Sequence, residues 1–209
     1  MTDTVFFMHI PRCGGTTYIE TMRRYFHNPA PQMSWYEAQR YDFTAHDFIY
    51  GHYPASLADK LGENVLRVTL VREPVGRVLS HFQSELYQKL ALDEWLNTKH
   101  RNQTAENLQT HFFNDLKSDD YVSAKHALMS CDVVGVVDQP DGVAMAIQQT
   151  CRALGKRPLV VRGVYNQGQQ YPLYRLEPST LGDIQQLNLL DTGLYEYALE
   201  TFYYPKLDT

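Results

Sequence analysis

The chain has 209 residues, 44% hydrophobic and 21% charged, a balance that fits one globular domain over residues 1–209 and excludes a disordered or fibrous chain. A net charge of -5 gives no general electrostatic footprint for nucleic acid, so any anion must be gripped locally. Three scattered cysteines, Cys13, Cys131 and Cys151, with no CxxC pair and no histidine cluster at ligand spacing, offer no basis for a disulfide framework or a metal site.

In chain order, Val5–Ile10 is an apolar and aromatic run that suits a strand buried on both faces. Six residues are too few for a signal segment or a membrane span, which needs about 18, and no later stretch comes near that length, so a cytoplasmic protein is expected. Pro11 ends the strand, and after Arg12-Cys-Gly-Gly15 a helix is expected from Thr16 to Phe26, with Thr16 as its N-cap. Residues 27–45 lack periodicity and read as an irregular excursion able to cover a site. A short strand, Asp47–His52, breaks at Gly51, and a small helix follows around Ala55–Leu61.

Val65–Val71 is a second buried strand, stopping at Arg72-Glu-Pro74. Pro74 suits a first helical turn, and Val75, Val78, Leu79, Phe82, Leu86 and Leu90 continue at helical spacing. Leu92–Met129 reads as helical pieces broken near Asn102 and Ser118. Val133–Val137 is a third buried strand, and a helix over Val143–Leu154 is closed by Gly155. Leu159–Val161 reads as a marginal fourth strand, and helices over Pro178–Leu189 and Thr192–Tyr203 finish the chain. Strands alternating with helices imply an α/β three-layer fold with a mostly parallel sheet, whose ligands sit beyond the strands' carboxyl ends.

The residues at those ends carry the chemistry. In His9-Ile-Pro-Arg-Cys-Gly-Gly-Thr-Thr17, two glycines let backbone N–H groups turn inward, a helix N-terminus adds unpaired donors, and two hydroxyls add more, which is what a phosphate cradle needs. The glycine pair alone is more simply a strand-to-helix turn. A Walker A loop is not present, because Gly15 stands where its lysine would be and the cation, Arg12, precedes the glycines. The second strand also ends in Arg72 rather than the aspartate of a magnesium site. The pattern suits phosphate held by arginines without a metal. Arg72 at a strand end and Ser80 two turns into the next helix can converge on one anion, whereas Arg77 reads as structural or a rim charge.

Taken together with Leu70-Val-Arg-Glu-Pro-Val-Gly-Arg-Val-Leu-Ser-His-Phe82, the first loop resembles the PAPS-dependent sulfotransferases, nearest to the carbohydrate 2-O/6-O-sulfotransferase-like branch and its bacterial relatives. The resemblance implies a three-layer P-loop-like sulfotransferase fold and transfer of a sulfuryl group from PAPS to an acceptor hydroxyl, with a carbohydrate as the expected acceptor and no metal. It places the 5'-phosphosulfate on Arg12, Cys13, Gly14, Gly15, Thr16 and Thr17, and the 3'-phosphate on Arg72 and Ser80. Tyr50-Gly-His-Tyr-Pro54 matches the family's Gly-His, which makes His52 the implied general base, a task suited to an imidazole that is largely neutral near pH 7. His9 and His81 are lesser candidates for that role. Glu106-Asn-Leu-Gln-Thr110 resembles an NxQT segment expected near the acceptor side.

Two positions depart from the family pattern. Arg12 replaces the usual lysine and lacks its compact point donor, while Cys13 sits where a helix N-terminus and an arginine would lower a thiol's pKa and make it reactive. Two other functions stay open at the level of sequence. A P-loop-like nucleotide kinase would need magnesium, and a non-catalytic nucleotide- or glycan-binding protein would keep the fold without turnover.

Overall fold

The computed structural model describes residues 4–84, 90–98, 105–116, 118–157 and 176–206. The expected strand at Leu159–Val161, the break near Asn102 and the helical position Leu86 lie outside the described residues.

Four parallel strands form one sheet in the order β2-β1-β3-β4, with β1 at Thr4–Met8, β2 at Phe48–Gly51, β3 at Val65–Val71 and β4 at Val133–Val136. The register pairs Met8 with both Gly51 and Thr69, and Val71 with Val136, so all four strands end at one edge. Almost every strand residue is buried, because helices cover both faces and leave no polar side to the alternation. On one face the Phe7 ring stacks at 4.3 Å on Tyr18 of α1 (Gly15–Met22), whose hydroxyl bonds Thr150 of α8 (Gly142–Ala153) at 2.8 Å. On the other, Phe6 and Met8 share a small cavity with Ala58 of α3 (Leu57–Leu61) and Ala127 of α7 (Tyr121–Met129). The three-layer α/β expectation thus stands.

β1 is followed by β2 on one side of it, whereas β3 is followed by β4 on the other. Connections leaving in opposite directions make the crevice between β1 and β3 the sheet's switch point, and the loops beginning at His9 and Arg72 open there. α4 (Pro74–Ser84) follows the second loop and packs Val78, Leu79 and Phe82 in a smaller cluster with Trp95 of α5 (Leu92–Leu96) and Ile184 of α9 (Pro178–Leu187). α6 (Leu108–Phe113) and α10 (Leu189–Ala198) complete the helices that support the site.

Several boundaries differ from expectation for local reasons. Thr16 is not the N-cap of α1; Gly14 is, in the left-handed region at φ 70, so Thr16 falls within the first turn. The excursion over 27–45 contains α2 (Trp35–Ala38), started by a capping box in which Ser34 and Glu37 satisfy each other's backbone N–H. The helix expected to end at Leu189 stops at Leu187, and Asn188 separates it from α10; the last expected helix then continues as a π-helical turn over Leu199–Tyr203. Gly155, at φ 63, does close α8: its N–H bonds Arg152 and that of Lys156 bonds Cys151, the paired bonds of a Schellman ending. No helix among the described residues is long and apolar enough to cross a membrane.

Candidate active site

The sheet edge brings the sequence-selected residues into two connected groups. In the first, the turn after β1 holds both Arg12 (φ 68) and Gly14 (φ 70) in the left-handed region around Cys13, whose N–H closes back on Ile10 at 3.2 Å. Arg12 Nε donates to Ser80 Oγ at 3.1 Å, and Arg72 Nη1 donates to the carbonyl oxygen of Arg12 at 3.0 Å. The two loops therefore touch, and Arg12, Arg72 and Ser80 share one corner. Arg12 feels it: burial, then the charge of Arg72, pull its pKa below the usual value. Two guanidinium groups brought together beside a helix N-terminus make a corner that fits an anion.

The second group is His9 with His52. His52 is exposed, and its Nδ1 lies 2.7 Å from the carbonyl oxygen of His9. A carbonyl can only accept, so that nitrogen carries a proton, and in the neutral imidazole this leaves Nε2 with the lone pair a general base requires. The His9 ring sits 4.6 Å from that of His52 and packs directly over Gly15, where a Cβ would come within 2.0 Å of it. Burial, then His52 and Arg12, push the His9 pKa down to about 3, so His9 stays neutral. The third histidine, His81, lies with its ring 6.0 Å from Trp95.

The remaining selected residues have plainer surroundings. Gly14 faces Val137 and Val143, Thr16 is half-buried on the first turn of α1, and Thr17 is buried behind it. Cys13 is fully buried and donates its S–H to Gln109 Oε1 at 3.5 Å; burial pushes its pKa up to about 12, overriding the nearby arginines, so the thiol is not a reactive one. Arg77, fully buried, is structural: it lies 4.0 Å from Asp191 and donates to the Ala105 carbonyl at 3.4 Å.

Three residues at the site were not selected from sequence. Asp138, two positions beyond β4 at the same edge, accepts from Arg72 Nε at 3.3 Å and from Glu73 N–H at 2.6 Å. Its position past a strand end was the signal that could have found it. Glu73 accepts from Val75 N–H at 2.9 Å and Gly76 N–H at 2.6 Å, so its carboxylate occupies the N-terminus of α4. Asp191 anchors the NxQT segment, accepting from the N–H groups of Gln109 (3.0 Å) and Thr110 (2.8 Å) and from the Thr110 hydroxyl (2.9 Å). That segment, expected beside the acceptor, is a buried brace behind the Arg72 loop.

No protein-family model matches the chain, and no curated protein matches it by sequence. Among solved structures, it is similar to the crystal structure of a sulfotransferase from Alicyclobacillus acidocaldarius, at 13% identity and a TM-score of 0.55, over 94% of this chain and 95% of that one. At that identity the likeness speaks for architecture, and the chain has the α/β fold of that sulfotransferase.

Proposed function

We propose that the chain, as one domain, is a sulfotransferase that moves a sulfuryl group from PAPS to an acceptor hydroxyl, with a carbohydrate as the favoured acceptor. The observation that carries this reading is the meeting of Arg12, Arg72 and Ser80 at the switch point, with an arginine where a magnesium-dependent enzyme would carry aspartate. The fold likeness supports it independently.

In this reading the donor supplies a sulfur joined to a good phosphate leaving group. The loop N–H groups, Thr16 and Thr17 hold its 5' end, and Arg72 with Ser80 holds the 3'-phosphate. His52 Nε2 takes the hydroxyl proton as the acceptor oxygen bonds to sulfur and the bridging sulfur–oxygen bond breaks, its electron pair leaving with the 5'-phosphate. Arg12 stabilises the charge gathering there, through the kind of preorganised electrostatics that dominates many group transfers.

Calorimetry with adenosine 3',5'-bisphosphate (PAP) in EDTA should show binding, and PAPS with an acceptor panel should show turnover that falls about a hundredfold or more in His52→Ala. ATP binding that requires magnesium, with none for PAP, would replace this reading by a kinase. PAP binding with no turnover on any acceptor would instead make the chain a nucleotide-binding protein.

A further inference from the structure

We propose that Gln109 is the positioning residue that sets Arg72 in place, an assignment that rests on the reading of Arg72 as the 3'-phosphate ligand. Gln109 is 1% exposed and spends both ends of its side-chain amide on one residue: Arg72 N–H donates to its Oε1 at 2.9 Å, and its Nε2 donates to the Arg72 carbonyl at 2.9 Å. Arg72 follows Val71, the last paired residue of β3, so the amide replaces the neighbouring strand where the ladder runs out. The same Oε1 accepts the S–H of Cys13, so one side chain grips both loops of the corner.

Gln109 cannot easily drift. Its backbone N–H is fixed on Asp191 at 3.0 Å, and Asp191 is itself held by Thr110 and faces buried Arg77. With its main chain pinned, Arg72 can direct Nη1 to Arg12 and Nε to Asp138, and the guanidinium fork meets an anion in a set orientation. A buried amide with only a packing role could satisfy itself on any neighbouring groups. Here both bonds converge on the residue whose side chain reads charge.

The test compares PAP with adenosine 5'-phosphate, which differs only in lacking the 3'-phosphate. Wild-type protein should prefer PAP by about tenfold or more, the worth of a charge-assisted bond. Gln109→Met, of similar size, should shrink that preference to about threefold or less while leaving affinity for adenosine 5'-phosphate nearly unchanged. In an Arg72→Ala background the same substitution should cost PAP nothing further. If Gln109→Met does not fold, Gln109→Glu, which fills the same space but as a carboxylate cannot donate to the Arg72 carbonyl, should show the same loss.

Equal weakening of both nucleotides, or an undiminished cost in the Arg72→Ala background, would overturn the assignment for Gln109 alone. A wild-type protein without preference for PAP would overturn the reading of Arg72, and the Gln109 assignment with it.

Discussion

Gly15→Ala tests the geometry of the first loop most directly. The new Cβ would lie 2.0 Å from His9 Cδ2, 2.2 Å from Nε2 and 2.7 Å from Cγ, against the 3.4 Å at which ordinary contact begins, so the gap must open by well over an ångström. The ring has little room to retreat, since the tilted His52 ring lies 4.6 Å away and Phe7 stacks on the His9 ring at 5.7 Å. Overpacking of this kind costs about 1–3 kcal/mol. Helix propensity alone would favour alanine over glycine by up to about 1 kcal/mol, so the two effects have opposite signs and the clash decides. With a urea m-value of about 2 kcal/mol/M, the midpoint should fall by about 0.5–1.5 M. In a His9→Ala background, where the obstructing ring is gone, the same substitution should be neutral or stabilising. A Gly15→Ala protein as stable as wild type, or an unchanged cost without the His9 ring, would refute the packing described.

Asp191→Ala removes the acceptor for two backbone N–H groups and a hydroxyl and leaves Arg77 as a buried charge lacking its carboxylate, so guanidinium unfolding should show a loss of about 3–5 kcal/mol. A loss below about 1 kcal/mol would mean the brace carries little. His9 makes the fold sensitive to acid: its pKa is about 3 when folded against an ordinary 6.5, so between those values the unfolded chain binds a proton that the folded chain refuses. That contribution is fully present above pH 6.5 and is lost as pH falls toward 3, so His9→Gln should flatten the fall in urea midpoint between pH 7 and pH 4.5 measured for wild type. An unchanged slope would show that His9 is not the group responsible.

The parts legible in the sequence are those written in local pattern. β3 falls on Val65–Val71 because a continuous apolar run bounded by Arg72-Glu-Pro74 has one sensible reading, whereas the bond from Arg12 to Ser80 joins two elements 68 residues apart and replaces the expected pairing of Ser80 with Arg72. The cap of α1 was not legible: a Gly-Gly pair before two threonines permits capping by hydroxyl or by left-handed glycine, and the left-handed backbone of Gly14 (φ 70) makes it the second. Cys13 misled for a related reason, since its neighbours in sequence are electropositive while burial, a tertiary property, decides its pKa. The brace was the least accessible. Gln109 and Asp191 are 82 residues apart, and no periodicity links a helix start to a carboxylate that far away.

Arg12 shows how the two loops depend on each other. A non-glycine residue in the left-handed region costs about 1–2 kcal/mol, and the turn around Arg12 has little of its own to offset that beyond the bond from Cys13 to Ile10. The compensation comes from the second loop, through the Arg72 guanidinium on the Arg12 carbonyl and the Ser80 hydroxyl under Arg12 Nε, each a charged hydrogen bond worth about 1.5–3 kcal/mol. The shape of the first loop is therefore a property of both. Like charges at one corner also repel, and in the proposed reading the donor's two anionic ends, the 5' end at Arg12 and the 3'-phosphate at Arg72, would offset that repulsion. Arg12 thus does more than substitute for a lysine: a lysine has no Nε–H to place on Ser80 while its chain end points elsewhere, whereas arginine can hold the corner with one nitrogen and leave the rest of its fork to meet charge.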